Sequence, residues 1–279
     1  MVTRRPMNYG AAPGGRSGGS GRLIIALVMV AIALFSYFSS RVYNPVTGED
    51  QHISLTPRQE IALGLQAVPQ MIEQFGGLYD DPKLQDYVDE VGGRLVKSTA
   101  AAQTEWQFEF SLLRDPETLN AFALPGGQVF ITAALYEKLS TEGQLAGVLG
   151  HEIGHVVARH GAQRIAKQEL TEGLTGAVVV ASGDARSAQL AAMVGQMVNM
   201  KYGRDDELQS DRLGVRFMVD AGYDPRSMID VMKILAESSK GAEQPEFFST
   251  HPNPENRIAR IQEAIDELFP NGVPDGLEK

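Results

Sequence analysis

The strongest hydrophobic feature of the chain is an apolar run near its N-terminus. Residues 23–38 read LIIALVMVAIALFSYF, in which Ser36 is the one clearly polar side chain. With Ser39 and Ser40 included, the run reaches the lower limit for a helix that spans a bilayer. Since the run has no amphipathic pattern, we predict a membrane-spanning helix over residues 22–40.

Beyond this run, the pattern predicts a mostly helical α+β protein with a small sheet. Apolar and polar positions alternate over residues 106–112, as they do in a half-buried strand. Extended runs lie on both sides of Pro125-Gly126-Gly127, the second over residues 128–132, and they are expected to form a hairpin. The predicted helices cover residues 58–75, 83–98, 187–220, 226–237 and 254–268.

One further predicted helix carries the candidate chemistry. Thr141 with Gln144 fits a capping box, and the helix is predicted to run from there to about Lys167. It contains the motif HEIGH, in which His151 and His155 are four residues apart. Residues at this spacing share a helix face, so both imidazoles can bind one metal ion.

The motif indicates hydrolysis assisted by one zinc ion (Zn²⁺) per chain. Glu152 lies beside the ion without binding it, where it can act as the general base. Bound zinc lowers the pKa of water to about 7. The alternative is an exposed helix with incidental histidines, but apolar Ile153 and Val156 favour a helix that is buried on one side.

A catalytic zinc site needs a third protein ligand. The longer pattern H-E-x-x-H-x-x-G-x-x-H is absent, because Ala158 and Gly161 occupy its glycine and third-histidine positions. His160 is expected to point away from the ligand face and to serve packing or hydrogen bonding. Glu207 and Asp211 are one turn apart and offer a ligand and a partner for a liganding histidine, although acidic pairs usually mark solvated helix faces.

Charge is divided unevenly along the chain. Residues 1–41 contain five arginines and no acidic residue, and the formal net charge is −10, so residues 42–279 carry −15. A domain this acidic is a poor binder of polyanions, and nucleic acid is not expected as a partner. The chain has no cysteine, which excludes disulfides, thiol catalysis and cysteine-bound zinc.

The N-terminal charges also carry a topology signal. Four arginines precede the apolar run, while Glu49 and Asp50 follow it. By the positive-inside rule the N-terminus stays cytoplasmic, and the catalytic domain lies on the periplasmic side of the inner membrane. A cleaved signal peptide, which leaves a secreted or periplasmic protein, is the alternative, but SYFSSRVYNP offers no clear cleavage site.

Several segments together resemble one family, the HtpX/BepA-like zinc metalloendopeptidases, which are gluzincins related to the CAAX prenyl-protein protease. The resemblance covers about residues 55–268. It rests on NAFALPGG from Asn120, HEIGHVVARHG from His151, YGRDDELQSD ending at Asp211, and Thr250-His251-Pro252 with Arg257. The resemblance implies a zincin-type fold with the sheet beside the HExxH helix. It also makes Glu207 the third ligand and Asp211 its hydrogen-bonding neighbour, and only Ser210 departs from the alanine usual in the family.

The resemblance implies further roles at the site. Asn120 and Ala121 are similar to the edge strand with which thermolysin-type proteases bind substrate, although an ordinary hairpin strand is the alternative. In relatives, the histidine that matches His251 can approach the zinc and occupy its open position, which restrains activity. Loop-anchoring hydrogen bonds are the alternative for His251. A regulatory or transition-state role is also expected for Arg257.

These features divide the chain into five predicted segments. They are a flexible basic tail (1–21), a membrane anchor (22–40), a linker (41–57), a zinc metallopeptidase domain (58–270) and a C-terminal tail (271–279). Residues 174–181 are apolar but too short to span a membrane, and they are expected in the core, at the bilayer or over the cleft. Residues 241–249 are expected to form a mobile wall of the site.

The predicted function is that of a membrane-anchored zinc metalloendopeptidase. Its expected substrates are unfolded or misassembled membrane or envelope proteins, which the resemblance alone implies. One alternative is a catalytically silent chaperone or scaffold of the same fold, and another is an exopeptidase. The bilayer is the second expected partner, through residues 22–40.

Overall fold

The structure, a computed structural model, describes residues 18–182, 202–238, 246–252 and 256–279. Its strands are β1 (Arg41–Asn44), β2 (Glu49–His52), β3 (Glu109–Leu113), β4 (Ala121–Ala123) and β5 (Gln128–Thr132). Its helices are α1 (Gly18–Ser39), α2 (Pro57–Gln74), α3 (Pro82–Lys97), α4 (Ala133–Tyr136), α5 (Glu142–Val157), α6 (His160–Ser182), α7 (Arg204–Asp220), α8 (Arg226–Ser238), α9 (Phe247–Thr250) and α10 (Arg257–Leu268). The predicted α+β and predominantly helical architecture with a small sheet is confirmed.

Side-chain caps set the starts of three helices. Thr56, Asp81 and Thr141 each accept a hydrogen bond from a backbone N–H in the first turn of α2, α3 and α5. These caps satisfy N–H groups that have no partner within the helix. The helices predicted over residues 58–75 and 83–98 are confirmed, and each begins one residue earlier than predicted.

The three-stranded sheet has the strand order β3-β5-β4. β3 runs parallel to β5, and β4 pairs with β5 antiparallel, so the hairpin predicted around Pro125-Gly126-Gly127 is confirmed. The strand predicted over residues 106–112 begins only at Glu109. β5 is buried along its whole length, and α5 packs against β4 and β5. β4 is therefore an edge strand beside the helix that carries the HEIGH turn.

The single helix predicted from Thr141 to about Lys167 is wrong. α5 ends at Val157, Arg159 adopts a left-handed conformation with φ 56°, and α6 starts at His160. The Arg159 guanidinium donates to the buried carboxylate of Glu60 and to the carbonyl oxygen of Leu55. These distant contacts stabilise a conformation that local sequence disfavours, and they give α6 a direction of its own.

Residues 41–57, predicted as a linker, contain an antiparallel hairpin of β1 and β2. Asn44 donates to the carbonyl oxygen of Val157 at 2.8 Å, and Gln51 donates to that of Ala158 at 2.9 Å. The last carbonyls of a helix have no partner within it. The hairpin supplies those partners and fastens the end of α5.

The predicted C-terminal tail, residues 271–279, also contacts the domain. The backbone N–H of Asp224 donates to the carbonyl oxygen of Glu278 at 2.7 Å, and the N–H of Glu278 donates to that of Gly222 at 3.0 Å. The Glu278 carboxylate lies 2.5 Å from Arg94 of α3. The tail therefore packs over the turn between α7 and α8.

Three further helices were predicted in the C-terminal part of the chain. Residues 204–220 of the helix predicted over 187–220 form α7, whereas residues 187–201 lie outside the described residues. The helix predicted over 226–237 is confirmed as α8, and the last predicted helix begins at Arg257.

Ser20–Ser39 of α1 is the one helix in the described part of the chain that is long and apolar enough to cross a bilayer. α1 packs along α6, which contains the apolar residues 174–181.

Candidate metal centre

The helices α5 and α7 cross at a contact made of small residues. A Cβ on Gly154 of α5 would lie 3.0 Å from the carbonyl oxygen of Ser210 on α7. A Cβ on Gly214 would lie 3.1 Å from the backbone nitrogen of His151. Since larger side chains do not fit here without displacement, the two backbones approach closely, and α7 places its acidic residues over the HEIGH turn.

Four buried side chains converge at this crossing, and they belong to His151, His155, Glu207 and His251. Nε2 of His151 lies 3.1 Å from Nε2 of His155 and 3.3 Å from Nδ1 of His251. Oε1 of Glu207 lies 3.3 Å from Nε2 of His155 and 3.1 Å from Nδ1 of His251. We call these four side chains the ligand cluster.

The spacing and the charge of the ligand cluster fit a divalent metal ion. Ligands about 2.0–2.1 Å from a tetrahedral ion lie about 3.3 Å from one another. Within the described residues, three buried carboxylates and one buried guanidinium line the cluster, so a dication balances their charge when the imidazoles are neutral. These groups belong to Glu152, Glu207, Asp211 and Arg257. Burial also lowers the pKa of His155 well below its usual value, which favours the neutral form that a metal requires.

His151 is held by a carboxylate on its far side. Oδ1 of Asp211 lies 2.9 Å from Nδ1 of His151, which leaves Nε2 directed at the cluster. Burial lowers the pKa of His151, but hydrogen bonds to Asp211 and Glu207 outweigh burial and raise it to about 9. Arg257 donates to both oxygens of Asp211, at 2.7 and 2.8 Å. The geometry fixes the ring orientation and selects the nitrogen that faces the ligand cluster.

Glu207 is anchored by cations and donors on several sides. Burial would raise its pKa, but the electrostatic interaction with the His251 ring and the hydrogen bonds from His151 and His155 hold the pKa well below its usual range. Nη1 of Arg257 lies 3.2 Å from Oε2 of Glu207. Glu207 is therefore a buried carboxylate ion, the form in which it can bind a metal.

The second histidine of the HEIGH turn, His155, is oriented by His160, whose importance the sequence did not reveal. Nδ1 of His160 lies 2.9 Å from Nδ1 of His155, and its Nε2 lies 2.9 Å from Oε1 of Gln209. Gln209 in turn donates to Glu49 of β2 at 2.9 Å. The expected hydrogen-bonding role is therefore right, but His160 points toward His155 and not away from it, because α6 starts after the break at Arg159.

A second missed residue packs on the same ring. Tyr202 stacks on His155 with ring centroids 4.1 Å apart and an interplanar angle of 26°. Tyr202 opens the matched segment YGRDDELQSD, but neither its type nor its spacing marks it as a ring-packing residue. Its role follows from the tertiary contact alone.

Glu152 lies beside the ligand cluster without a hydrogen-bond partner. It is fully buried, and neither of its carboxylate oxygens has a partner in the described residues. Oε1 lies 3.7 Å from Nε2 of His251. Burial raises the pKa of Glu152 above its usual value. A carboxylate with these properties, next to a candidate metal site, is a candidate proton acceptor.

His251 reaches the cluster from the end of the short helix α9. Its ring stacks on Phe247 with centroids 4.6 Å apart, and its backbone N–H donates to the Phe247 carbonyl oxygen at 2.7 Å. The N–H of Phe247 donates to the carbonyl oxygen of Leu119 at 3.1 Å. Residues 246–252 thus connect the ligand cluster to the entry of β4. Residues 246–249 belong to the predicted wall at 241–249, and residues 241–245 lie outside the described residues.

The predicted substrate-binding residues lie at the start of the edge strand. Asn120 is buried, its N–H donates to Oγ1 of Thr132, and its side-chain Oδ1 has no partner in the described residues. Ala121 opens β4 and pairs with Ile131 of β5. The other side of β4 has no paired strand within the described residues.

Sequence comparison with known protein families covers the segments that form this site. The sequence profile of peptidase family M48 matches residues 82–265, which is more than half of the chain. The chain belongs to peptidase family M48. The match spans the HEIGH turn, the Glu207–Asp211 segment and Arg257, which are the parts that the structure brings together in this M48 site.

Relatives of this M48 chain come from bacteria and from mitochondria. The beta-barrel assembly-enhancing protease of Escherichia coli (strain K12) is 30% identical over 258 residues, which cover 88% of this chain and 52% of that protein. The mitochondrial metalloendopeptidase OMA1 of Schizosaccharomyces pombe is 30% identical over 239 residues, 83% of this chain and 68% of that protein. The chain thus spans about half the length of the bacterial relative.

Proposed function

We propose that this M48 chain is a zinc metalloendopeptidase with a zincin-type fold. The observation that carries the proposal is the juxtaposition of His151, His155 and Glu207 with the unpartnered, buried Glu152. Two imidazoles and one carboxylate form a ligand set that catalytic zinc sites use, with a further position left for water or substrate. Borderline-soft imidazole donors favour zinc over calcium or magnesium, which prefer all-oxygen sites.

In the proposed mechanism, His151, His155 and Glu207 would hold a zinc ion, which would lower the pKa of a bound water to about 7 and polarise the scissile carbonyl. Glu152 accepts the proton of the attacking water and later passes it to the leaving amine. Asp211 keeps Nε2 of His151 directed at the ion, and His160 does the same for Nε2 of His155. Arg257 neutralises Asp211 and Glu207, and it can stabilise negative charge that develops near them.

We further propose that the substrate binds as an added strand on β4. An edge strand offers backbone N–H and C=O groups to an extended peptide, whatever its sequence. Asn120 and Ala121, at the start of β4, would make the first of these contacts. Such binding suits unfolded polypeptides, and it leaves both ends of the peptide free, as internal cleavage requires.

Product analysis separates this function from its alternatives. The full chain, purified in detergent with zinc, is incubated with reduced and alkylated casein, and the products are identified by mass spectrometry with and without a chelator. Internal cuts that disappear with the chelator are expected. Stepwise loss of residues from one terminus would indicate an exopeptidase, and intact casein would favour a chaperone or scaffold.

A second proposal concerns the resting form, in which His251 takes the open ligand position. Nδ1 of His251 lies within 3.1–3.3 Å of Glu207 and His151, and the Phe247 stack holds the ring there. His251→Ala is then expected to raise the initial rate of casein cleavage, while Ser249→Ala in the same segment changes little. Unchanged activity together with unchanged spectra of a cobalt-substituted site would refute this role.

For the cellular setting, we propose a single-pass inner-membrane protein with α1 as its anchor and the M48 domain on the periplasmic side. The five arginines in residues 1–41 and the acidic remainder support this orientation. The relative named as a beta-barrel assembly-enhancing protease supports a role in envelope protein quality control. A reporter fused after residue 279 is expected to be periplasmic, and a cytoplasmic reporter would overturn the orientation.

A further inference from the structure

The contact between α1 and α6 is built from small residues. A Cβ on Gly173 would lie 2.7 Å from the Cβ of Ala33, and a Cβ on Gly176 would lie 3.3 Å from Cε of Met29. Residue numbers rise along α6 as they fall along α1, so the two helices run antiparallel. Ala177 is also buried. Helices in lipid associate through such small residues, because there the hydrophobic effect does not drive them together.

Both α1 and α6 also carry exposed apolar side chains away from this contact. Val178 of α6 is 55% exposed and Phe35 of α1 is 76% exposed. The charges of α6 end at Glu172, and residues 173–182 carry none. An apolar surface continuous over two helices is unfavourable in water and indicates contact with a partner or a membrane.

The polar part of α6 lies beside the polar C-terminal end of α1. A cavity of about 320 Å³ between them is lined by residues that include Glu169 of α6 and Ser36 and Tyr37 near the end of α1. The charged half of α6 therefore lies beside the end of the proposed span, and its uncharged half lies beside the middle of that span. This matches the change in polarity from the surface of a bilayer to its interior.

The rise per residue of an α-helix shows how deep residues 173–182 would lie in the bilayer. Ala33 is six residues from the end of α1, which is about 9 Å along the helix axis. From Gly173, opposite Ala33, to Ser182 is a further length of about 14 Å. The hydrocarbon core of a bilayer is about 30 Å thick. If α1 spans the core, residues 173–182 have no position outside it.

We propose that residues 173–182 of α6 lie in the hydrocarbon region beside α1, with lipid acyl chains on their outer face. This inference rests on the proposed anchoring by α1. Lipid, and not a second protein, is the occupant, because the exposed face of α6 continues that of α1 without a charged residue between Gly173 and Ser182. The segment enters the bilayer as helix, so its backbone N–H and C=O groups stay paired within it.

The inserted segment limits how far the M48 site can lie from the membrane. His160, which touches His155, is the first residue of α6, and Gly173 follows it thirteen positions later. That length is about 20 Å. The ligand cluster therefore lies within about that distance of the bilayer, where it reaches polypeptide segments at the membrane surface.

Fluorescence quenching tests the insertion in the full chain. Because the chain has no cysteine, Val178→Cys, Val28→Cys and Glu263→Cys each give one site for an environment-sensitive dye. All three side chains are exposed. The labelled proteins are placed in liposomes of phosphatidylethanolamine and phosphatidylglycerol, and quenching by acyl-chain nitroxides is compared with quenching by aqueous iodide. Circular dichroism checks that each variant is folded.

The inference predicts that nitroxides quench the dyes at Val28 and Val178 and that iodide quenches only the dye at Glu263. If the dye at Val28 is quenched by nitroxides but the dye at Val178 responds to iodide, the inference is wrong and the anchor stands. If the dye at Val178 is shielded from both quenchers, a protein surface such as a second copy covers it, and the lipid assignment is wrong. If neither α1 nor α6 is reached by nitroxides, the proposed anchor fails as well.

Discussion

Two helix pairs in this molecule, α5 with α7 and α1 with α6, both pack closely through glycine residues, but the two contacts have different consequences. Where α5 crosses α7, Gly154 and Gly214 let the backbones approach until polar side chains from both helices meet in a buried cluster. Where α6 runs along α1, Gly173 also allows close approach, but the contact brings exposed apolar side chains such as Val178 and Phe35 to the surface. The first pair excludes water from charged groups, and the second presents a surface that water does not favour.

The difference shows that close approach alone does not define a functional site. At the α5–α7 crossing, burial strengthens every electrostatic interaction, so a misplaced ligand costs metal affinity as well as packing. At the α1–α6 contact, a substitution changes only the packing and the proposed contact with lipid. Matched substitutions at the two contacts should therefore have different consequences.

The largest effect is expected for Gly154→Val. Its added carbons meet Ser210 and push α7 away, which separates Glu207 from the two histidines. Overpacking costs about 1–3 kcal/mol of stability, and the displaced ligand should leave the chain with much less than one zinc ion. Metal analysis and thermal unfolding measure both effects. Gly93→Val on α3 is the control, because a Cβ there meets no atom within 4 Å, and full zinc content in both variants would contradict the proposed crossing.

A smaller loss is expected for Asp211→Asn. The amide cannot hold His151 as the carboxylate does, and it removes the negative charge that pairs with Arg257. Removal of such a partner typically lowers metal affinity by about 10–100-fold, which competition with a fluorescent zinc chelator measures. Asp205→Asn, an exposed position on the same helix, should bind zinc like the wild type. Equal affinities of the two variants would remove Asp211 from the site.

The smallest effect is expected for Gly173→Ala at the α1–α6 contact. The methyl group meets the Cβ of Ala33, whereas that of Gly176→Ala meets only the flexible end of Met29. We expect Gly173→Ala to lower the unfolding temperature by about 2–4 °C, which corresponds to about 1 kcal/mol, with zinc content unchanged. Gly176→Ala should unfold like the wild type. Loss of zinc from Gly173→Ala would show that the two helix pairs are not independent.

The parts of the fold that follow from local sequence were predicted well. The cap at Thr141 and the turn at Pro125-Gly126-Gly127 are short-range signals, and the helix start and the hairpin that they predict are present. The HEIGH spacing places two imidazoles on one face whatever surrounds the helix. The Glu207 assignment, in contrast, needed the family resemblance, because an acidic pair in isolation is ambiguous.

The features that were missed depend on contacts between residues far apart in the chain. The break at Arg159 is held by Glu60, about a hundred residues earlier. The hairpin of residues 41–52 is short and polar, and its role appears only when Asn44 and Gln51 meet the end of α5. The same break turns His160 toward His155. Because the end of α5 was predicted wrongly, the direction of His160 was predicted wrongly as well.

In the proposed mechanism, Glu152 acts as the general base beside a zinc ion held by His151, His155 and Glu207. The most direct test compares full-length wild type with Glu152→Gln, measuring zinc per chain and the initial rate of casein cleavage in the same preparations. We predict one zinc ion per chain in both proteins and a rate that is about 10²–10⁴-fold lower in the variant. Cleavage by Glu152→Gln at the wild-type rate, with zinc retained, would contradict the proposed mechanism.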